Sequence, residues 1–164
     1  MKLTAELTGL AKFLEDEIKK ELVRQKHVAS SKLHDSVEVW VEKKVNEVSL
    51  TGYLEDYGKH VDTGRFPGGK KVPIDALEEW IETKGFETDE EKITSMAFAI
   101  QTTIFKEGIP TNKARFLAPK RTDFLSDVLQ REAIKIDNVI NQTVEKVFTT
   151  VIDNLYQKYK KELV

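Results

Sequence analysis

Apolar residues recur at three- and four-residue steps at the start of the chain: Leu3, Leu7, Leu10, Leu14, Ile18 and Leu22. At 3.6 residues per turn these positions share one face of a helix, and charged residues fill the other. An amphipathic helix is expected over 5–26, with Thr4 placed to cap its first turn. The period then changes to two. Val37, Val39 and Val41 alternate with Glu38, Trp40 and Glu42, and Val48, Leu50 and Leu54 repeat the alternation beyond a polar turn at 43–46. An antiparallel β-hairpin is expected over 36–54.

Residues 58–73 follow neither period. Within them Asp62-Thr63-Gly64-Arg65-Phe66-Pro67-Gly68-Gly69-Lys70-Lys71-Val72-Pro73 is rich in glycine and proline. Such a run resists joining either neighbouring element, and its cations Arg65, Lys70 and Lys71 have no acid among them. A presented, mobile basic loop is expected here. Two helices are then expected over 75–107. Asp75 stands three residues before Glu78 as a capping box, with Leu77, Trp80 and Ile81 as the buried face and Gly85 as a stop. Thr88 and Glu91 repeat the capping signature. The second helix carries Ile93, Met96, Ala97, Ile100 and Ile104 together with Phe98, Ala99 and Phe105. Apolar nearly all round, it is expected to be the central core helix, ending at Gly108-Ile109-Pro110.

No glycine or proline occurs after Thr122, and Val128, Ile136, Ile140, Val144, Val147, Val151, Leu155 and Tyr159 keep a helical stripe. A helical region over 122–161 exceeds one small core. Either it breaks near Asp137-Asn138, or part of its stripe packs on another subunit. The whole reads as an α+β fold: a β-hairpin or small antiparallel sheet packed against several helices, with a long C-terminal helix, in a single domain spanning 1–164.

Composition narrows the function. With 33% charged and 40% hydrophobic residues, 164 positions suffice for a packed core. The start of the chain shows no apolar signal segment and no stretch reads as a membrane span, so a cytoplasm is the expected site of synthesis, with no membrane partner. The absence of cysteine excludes thiol nucleophiles and Cys-based zinc sites. A formal net charge of −2 argues against a surface wholly devoted to nucleic acid. Two loops are nevertheless locally basic, 63–73 and 111–121, the latter with Lys113, Arg115, Lys120 and Arg121.

Two strings resemble catalytic motifs. Gly64, Gly69 and Lys70 have the spacing of a phosphate-binding P-loop, but Lys71 stands where a hydroxyl should hold magnesium and Pro73 where a helix should run. Asp62-Thr63-Gly64 is the aspartic-protease triplet, present once in a chain whose later elements are helical. Arg65 beside it would hold Asp62 ionised against the proton sharing that chemistry needs. A turn built by Asp and Gly accounts for it. His27, His34 and His60 show no ligand spacing and are expected at the surface, and the carboxylates fall on helix faces expected to be exposed. No catalytic, cofactor or metal residues are assigned. Phe66 and Phe116 lie beside cations in their loops, as base-stacking groups or as buried loop anchors.

Several pieces in order carry a resemblance: Ser31-Lys32-Leu33-His34-Asp35-Ser36-Val37, Tyr53-Leu54, Tyr57-Gly58, the loop Asp62-x-Gly64-Arg65-x-Pro67-Gly68, Val72-Pro73-Ile74-Asp75, Trp80-Ile81, Lys84-Gly85, Ala97-Phe98-Ala99-Ile100, Ile104 and Gly108-Ile109-Pro110. From about Ser30 to Pro110 the chain resembles the small tail-completion, or head-tail joining, proteins of tailed bacteriophages. The resemblance implies a non-enzymatic virion component of α+β fold without cofactor. It would assemble as a homo-oligomeric ring, with portal or adaptor and tail proteins as partners and passing DNA as a non-specific contact. The assembly interface is assigned to Arg65, Phe66, Lys70, Lys71, Lys113 and Arg115. The alternative is a nucleic-acid-binding module using the same two basic loops, and an Asp62-dependent hydrolase ranks third.

Overall fold

The structure, a computed structural model, describes residues 3–28, 31–44, 47–111 and 122–162. Helix α1 (Leu3–Arg24) is followed by the short α2 (Lys32–Ser36), strands β1 (Glu38–Lys44) and β2 (Glu47–Tyr53), and α3 (Gly58–Thr63). The remaining helices are α4 (Ile74–Lys84), α5 (Glu90–Glu107), α6 (Phe124–Arg131) and α7 (Ala133–Glu162). The expected α+β class holds: one antiparallel hairpin, several helices and a long C-terminal helix.

The period-two alternation forms the hairpin for the reason the sequence suggests. Pairing Val41 with Leu50 and Val39 with Gly52 places the apolar side chains of both strands on one face. That face packs against α1, and Glu15 on α1 accepts the Val39 N–H at 3.2 Å on the free edge of β1. Ser36 Oγ accepts the Glu55 N–H at 3.0 Å, which ties the end of the hairpin back to α2.

Two groups of buried side chains hold the described residues together. The first joins Ile18 and Leu22 of α1 with Leu33, Val37, and Phe124 and Val128 of α6. The second joins Leu77 and Ile81 of α4 with Ile93 and Ala97 of α5. Helix α1 is therefore the hub, touching β1, α2, α6 and α7, whereas α5 packs against α4. The expectation of α5 as the central core helix is corrected. Only its Ile93–Ala97 side is covered, and Phe98, Ala99 and Phe105 are exposed.

Several local expectations also shift. Helix α1 begins at Leu3, so Thr4 lies inside it. Helix α4 begins at Ile74 with Pro73 in the capping position. With Pro73 as the cap, Asp75 becomes the second helical residue and Glu78 falls beyond the third, so the Asp75–Glu78 box does not form, and Glu78 instead accepts the Thr94 hydroxyl at 2.6 Å. Trp80 is exposed beside Phe86, their ring centroids 5.3 Å apart. Asp89, rather than Thr88, caps α5 by accepting the Lys92 N–H at 3.1 Å. Gly85 stops α4 in the left-handed conformation, as expected. The C-terminal region breaks at Glu132, not at Asp137-Asn138, giving α6 and then an unbroken α7.

Candidate functional site

Residues 58–73 are more structured than a presented loop. Gly58–Thr63 form α3, and Arg65 pairs with Ile109 in an antiparallel bridge, each N–H donating to the other carbonyl at 2.9 Å. Glycine makes the bridge possible. Gly64 and Gly108 stand at φ 76° and 80° with ψ near −170°, a region that residues with a Cβ avoid. A Cβ on Gly64 would run into the Ile109 carbonyl, and one on Gly108 into that of Arg65.

Further contacts fasten the loop along α5. Gly68 N–H donates to the Phe105 carbonyl at 2.7 Å, Gln101 Nε2 donates to the Val72 carbonyl at 2.6 Å, and Lys71 Nζ lies 5.6 Å from the Phe105 ring centre. The loop is thus bonded along α5 rather than held clear of its neighbours, and glycine serves close backbone approach here. Phe66 is left at the tip, 90% exposed, so it is not a buried anchor. Lys70 and Lys71 are exposed and Arg65 is half-buried, its Nη1 donating to the Lys70 carbonyl at 3.4 Å. The structure thus brings Arg65, Phe66, Lys70 and Lys71 onto one fastened loop. Lys113, Arg115 and Phe116 lie outside the described residues.

Asp62 has a structural task. Its carboxylate accepts the Leu125 N–H at 2.9 Å and its carbonyl accepts that of Asp123 at 2.6 Å, so it caps the start of α6 from across the chain. This is the turn-and-cap chemistry of Asp rather than half of a proton-sharing dyad.

One charged site was hidden by the expectation that the carboxylates face water. Glu21 of α1 is 2% exposed. Arg24 grips both of its oxygens, Gln25 Nε2 donates to Oε1 at 2.9 Å, and Arg131 Nη1 donates to Oε2 at 3.0 Å. Hydrogen bonding to Arg24 outweighs desolvation and, with Gln25 and Arg131 adding to it, holds the carboxyl down to about 2. Arg131 Nη2 also reaches Glu17 at 3.2 Å, so the end of α6 is locked onto α1 by charge. The clue was available: the period that buries Leu14, Ile18 and Leu22 places Glu21 and Gln25 on the same face.

Among the described residues the longest run of exposed apolar side chains belongs to α7. Its first half lies antiparallel on α1: Lys135 Nζ sits 3.0 Å from the Phe13 ring centre, Thr143 is buried and donates to Glu6 at 3.3 Å, and Lys146 pairs with Glu6. Glu6 belongs to the first turn of α1, so α7 runs on past its support. From Val144 to Lys160 every side chain is exposed. Eight of these are large apolar or aromatic groups, led by Phe148 at 68%.

No protein-family model, curated protein or solved structure matches this chain. Among the described residues no helix is long and apolar enough to cross a membrane, and no group of three or more His, Asp or Glu is placed to hold a metal ion.

Proposed function

We propose that this chain is a structural protein of a tailed-phage virion, an oligomeric head-tail connector or tail-completion component that joins portal or adaptor to tail. The observation that supports it is the α7 arm. A helix that leaves its own domain with an apolar face uncovered is a surface made for another chain, because monomers rarely keep large contiguous apolar patches in water. The fastened loop adds a second projecting contact, with Phe66 at its tip between Arg65 and Lys70. Asp62, committed to capping α6, and Lys71, lying beside Phe105, are used in ways that favour assembly over catalysis.

The test is location. Antibody-gold labelling of tailed particles from the strain that carries the gene should mark the junction of head and tail. Particles that carry no label there overturn the proposal. Salt-sensitive DNA binding by the isolated monomer would favour the nucleic-acid module instead.

A further inference from the structure

The apolar positions of the arm form a palindrome. About a point midway between Val151 and Ile152, the exposed residues pair as Val151 with Ile152, Phe148 with Leu155, Val147 with Tyr156, and Val144 with Tyr159. Every large apolar group exposed on α7 between 144 and 159 has an apolar mate under this reversal, and Glu145 falls opposite Lys158. A sequence that reads the same in both directions is what an isologous contact requires, where residue i of one copy meets j of the other and j meets i.

We infer that the free chain forms a two-fold dimer in which the α7 arms of two copies lie antiparallel, the axis passing between Val151 and Ile152. Four further observations agree. The bare face is accessible: Val139, Thr143 and Lys146 point to α1, and at roughly 100° per residue the centre of the apolar stripe lies about 160° away around the helix. Pairing therefore displaces nothing from α1. The length fits, because residues 147–162, at about 1.5 Å each, extend roughly 24 Å beyond the last contact with Glu6.

Charge selects the direction. A parallel pair would gather Lys158 and Lys160 of both copies at one end, whereas the antiparallel pair keeps the two lysine-bearing ends apart. The area suffices as well. The exposed apolar side chains of one arm offer on the order of 700 Å², the aromatic ones carrying the largest share, close to the ~800 Å² per partner of an ordinary stable interface. Tyr156 and Tyr159 then sit near the ends of the contact, where their hydroxyls keep water while their rings are covered.

The inference concerns the free chain and goes beyond the connector proposal. A chain located at the neck but monomeric when purified sinks the dimer alone, and a dimer absent from virions sinks the connector alone.

The lack of cysteine makes the test specific. The full chain should sediment as a dimer at about 100 μM, where an interface of ordinary size is saturated. Under mild oxidation Val151→Cys should link to itself in most molecules, and Val144→Cys should not. Mixing Val144→Cys with Tyr159→Cys chains should give the crossed disulfide. Phe148→Glu with Leu155→Glu should weaken dimerisation more than 100-fold, each change removing an apolar contact at both ends of the pair. A monomer at that concentration overturns the inference, as does efficient self-linking of Val144→Cys, which only a parallel pair permits. Should the charged variant lose helix in the arm, the cysteine pattern of the otherwise unchanged chain still decides.

Discussion

The two halves of α7 carry the same kind of sequence and lead different lives. Ahead of Lys146 the helix rests on α1, with Ile136 and Val139 half-buried, Thr143 buried, Lys135 over the Phe13 ring at one end of the contact and the Lys146–Glu6 pair at the other. Beyond Lys146 an equally regular apolar stripe meets no part of the described chain. Periodicity reports that a face is made to be covered; it does not report by what. Neighbouring geometry decides, and here α1 is too short to follow α7 to its end.

The sharpest way to break the comparison is to remove one large side chain from each kind of surface. Phe124, fully buried beside Leu22 and Val128, should cost about 3–5 kcal/mol as Phe124→Ala, read by chemical denaturation. Phe148→Ala, measured at a dilution where copies do not meet, should change stability by no more than about 0.5 kcal/mol. Equal losses would show that the arm packs at home.

The loop repeats the contrast at the scale of single glycines. Gly64→Ala or Gly108→Ala forces a Cβ into a carbonyl from a backbone region closed to it and should cost about 2–3 kcal/mol. Gly68→Ala has a positive φ but open space around it and should cost only about 1 kcal/mol. If all three behave alike, the Arg65–Ile109 bridge does not fasten the loop.

Charge locks the covered half of the C-terminal region. Arg131→Met should cost about 1–2 kcal/mol, a modest figure because the guanidinium is 43% exposed and Arg24 still holds Glu21. The same lock is visible in acid. The Glu21 carboxyl has its ordinary value near 4.5 when unfolded and about 2 when folded, so its contribution is fully present above about pH 4.5 and drains away as pH falls toward 2. Glu21→Gln should flatten this part of the stability profile, and an unchanged acid limb would show that other carboxylates set it. The smallest effect belongs to the loop tip: Phe66→Ser, on a side chain already in water, should leave stability within about 0.5 kcal/mol while changing partner binding.

Much of the fold was legible because regular elements carry regular signals. The helix of Leu10, Leu14, Ile18 and Leu22 and the valine alternation of β1 each depend on one period read along a short stretch. Contacts between distant segments were not legible. Nothing local shows that Asp62 caps α6, or that Arg65 pairs with Ile109, since each needs two stretches brought together by the fold. The over-apolar α5 misled for a related reason: richness in apolar groups suggested a centre, whereas its Phe98 and Phe105 lie outside. Of the candidate site, neither α3 nor the attachment of the cationic loop to α5 was legible, while Glu21 was passed over because charge was taken to mean exposure.

Glu6 is the last hand-hold before α7 leaves the body, accepting from both Thr143 and Lys146. Mechanically it acts as a fulcrum. With roughly 24 Å of stiff helix beyond it, a tilt of about 10° at the hold moves the tip by roughly 4 Å, most of the spacing between successive helical turns. The Lys146 pair there is solvent-exposed and weak, so the pivot is soft while the rod is stiff. Small adjustments at one carboxylate are thereby converted into changes of aim at the far end.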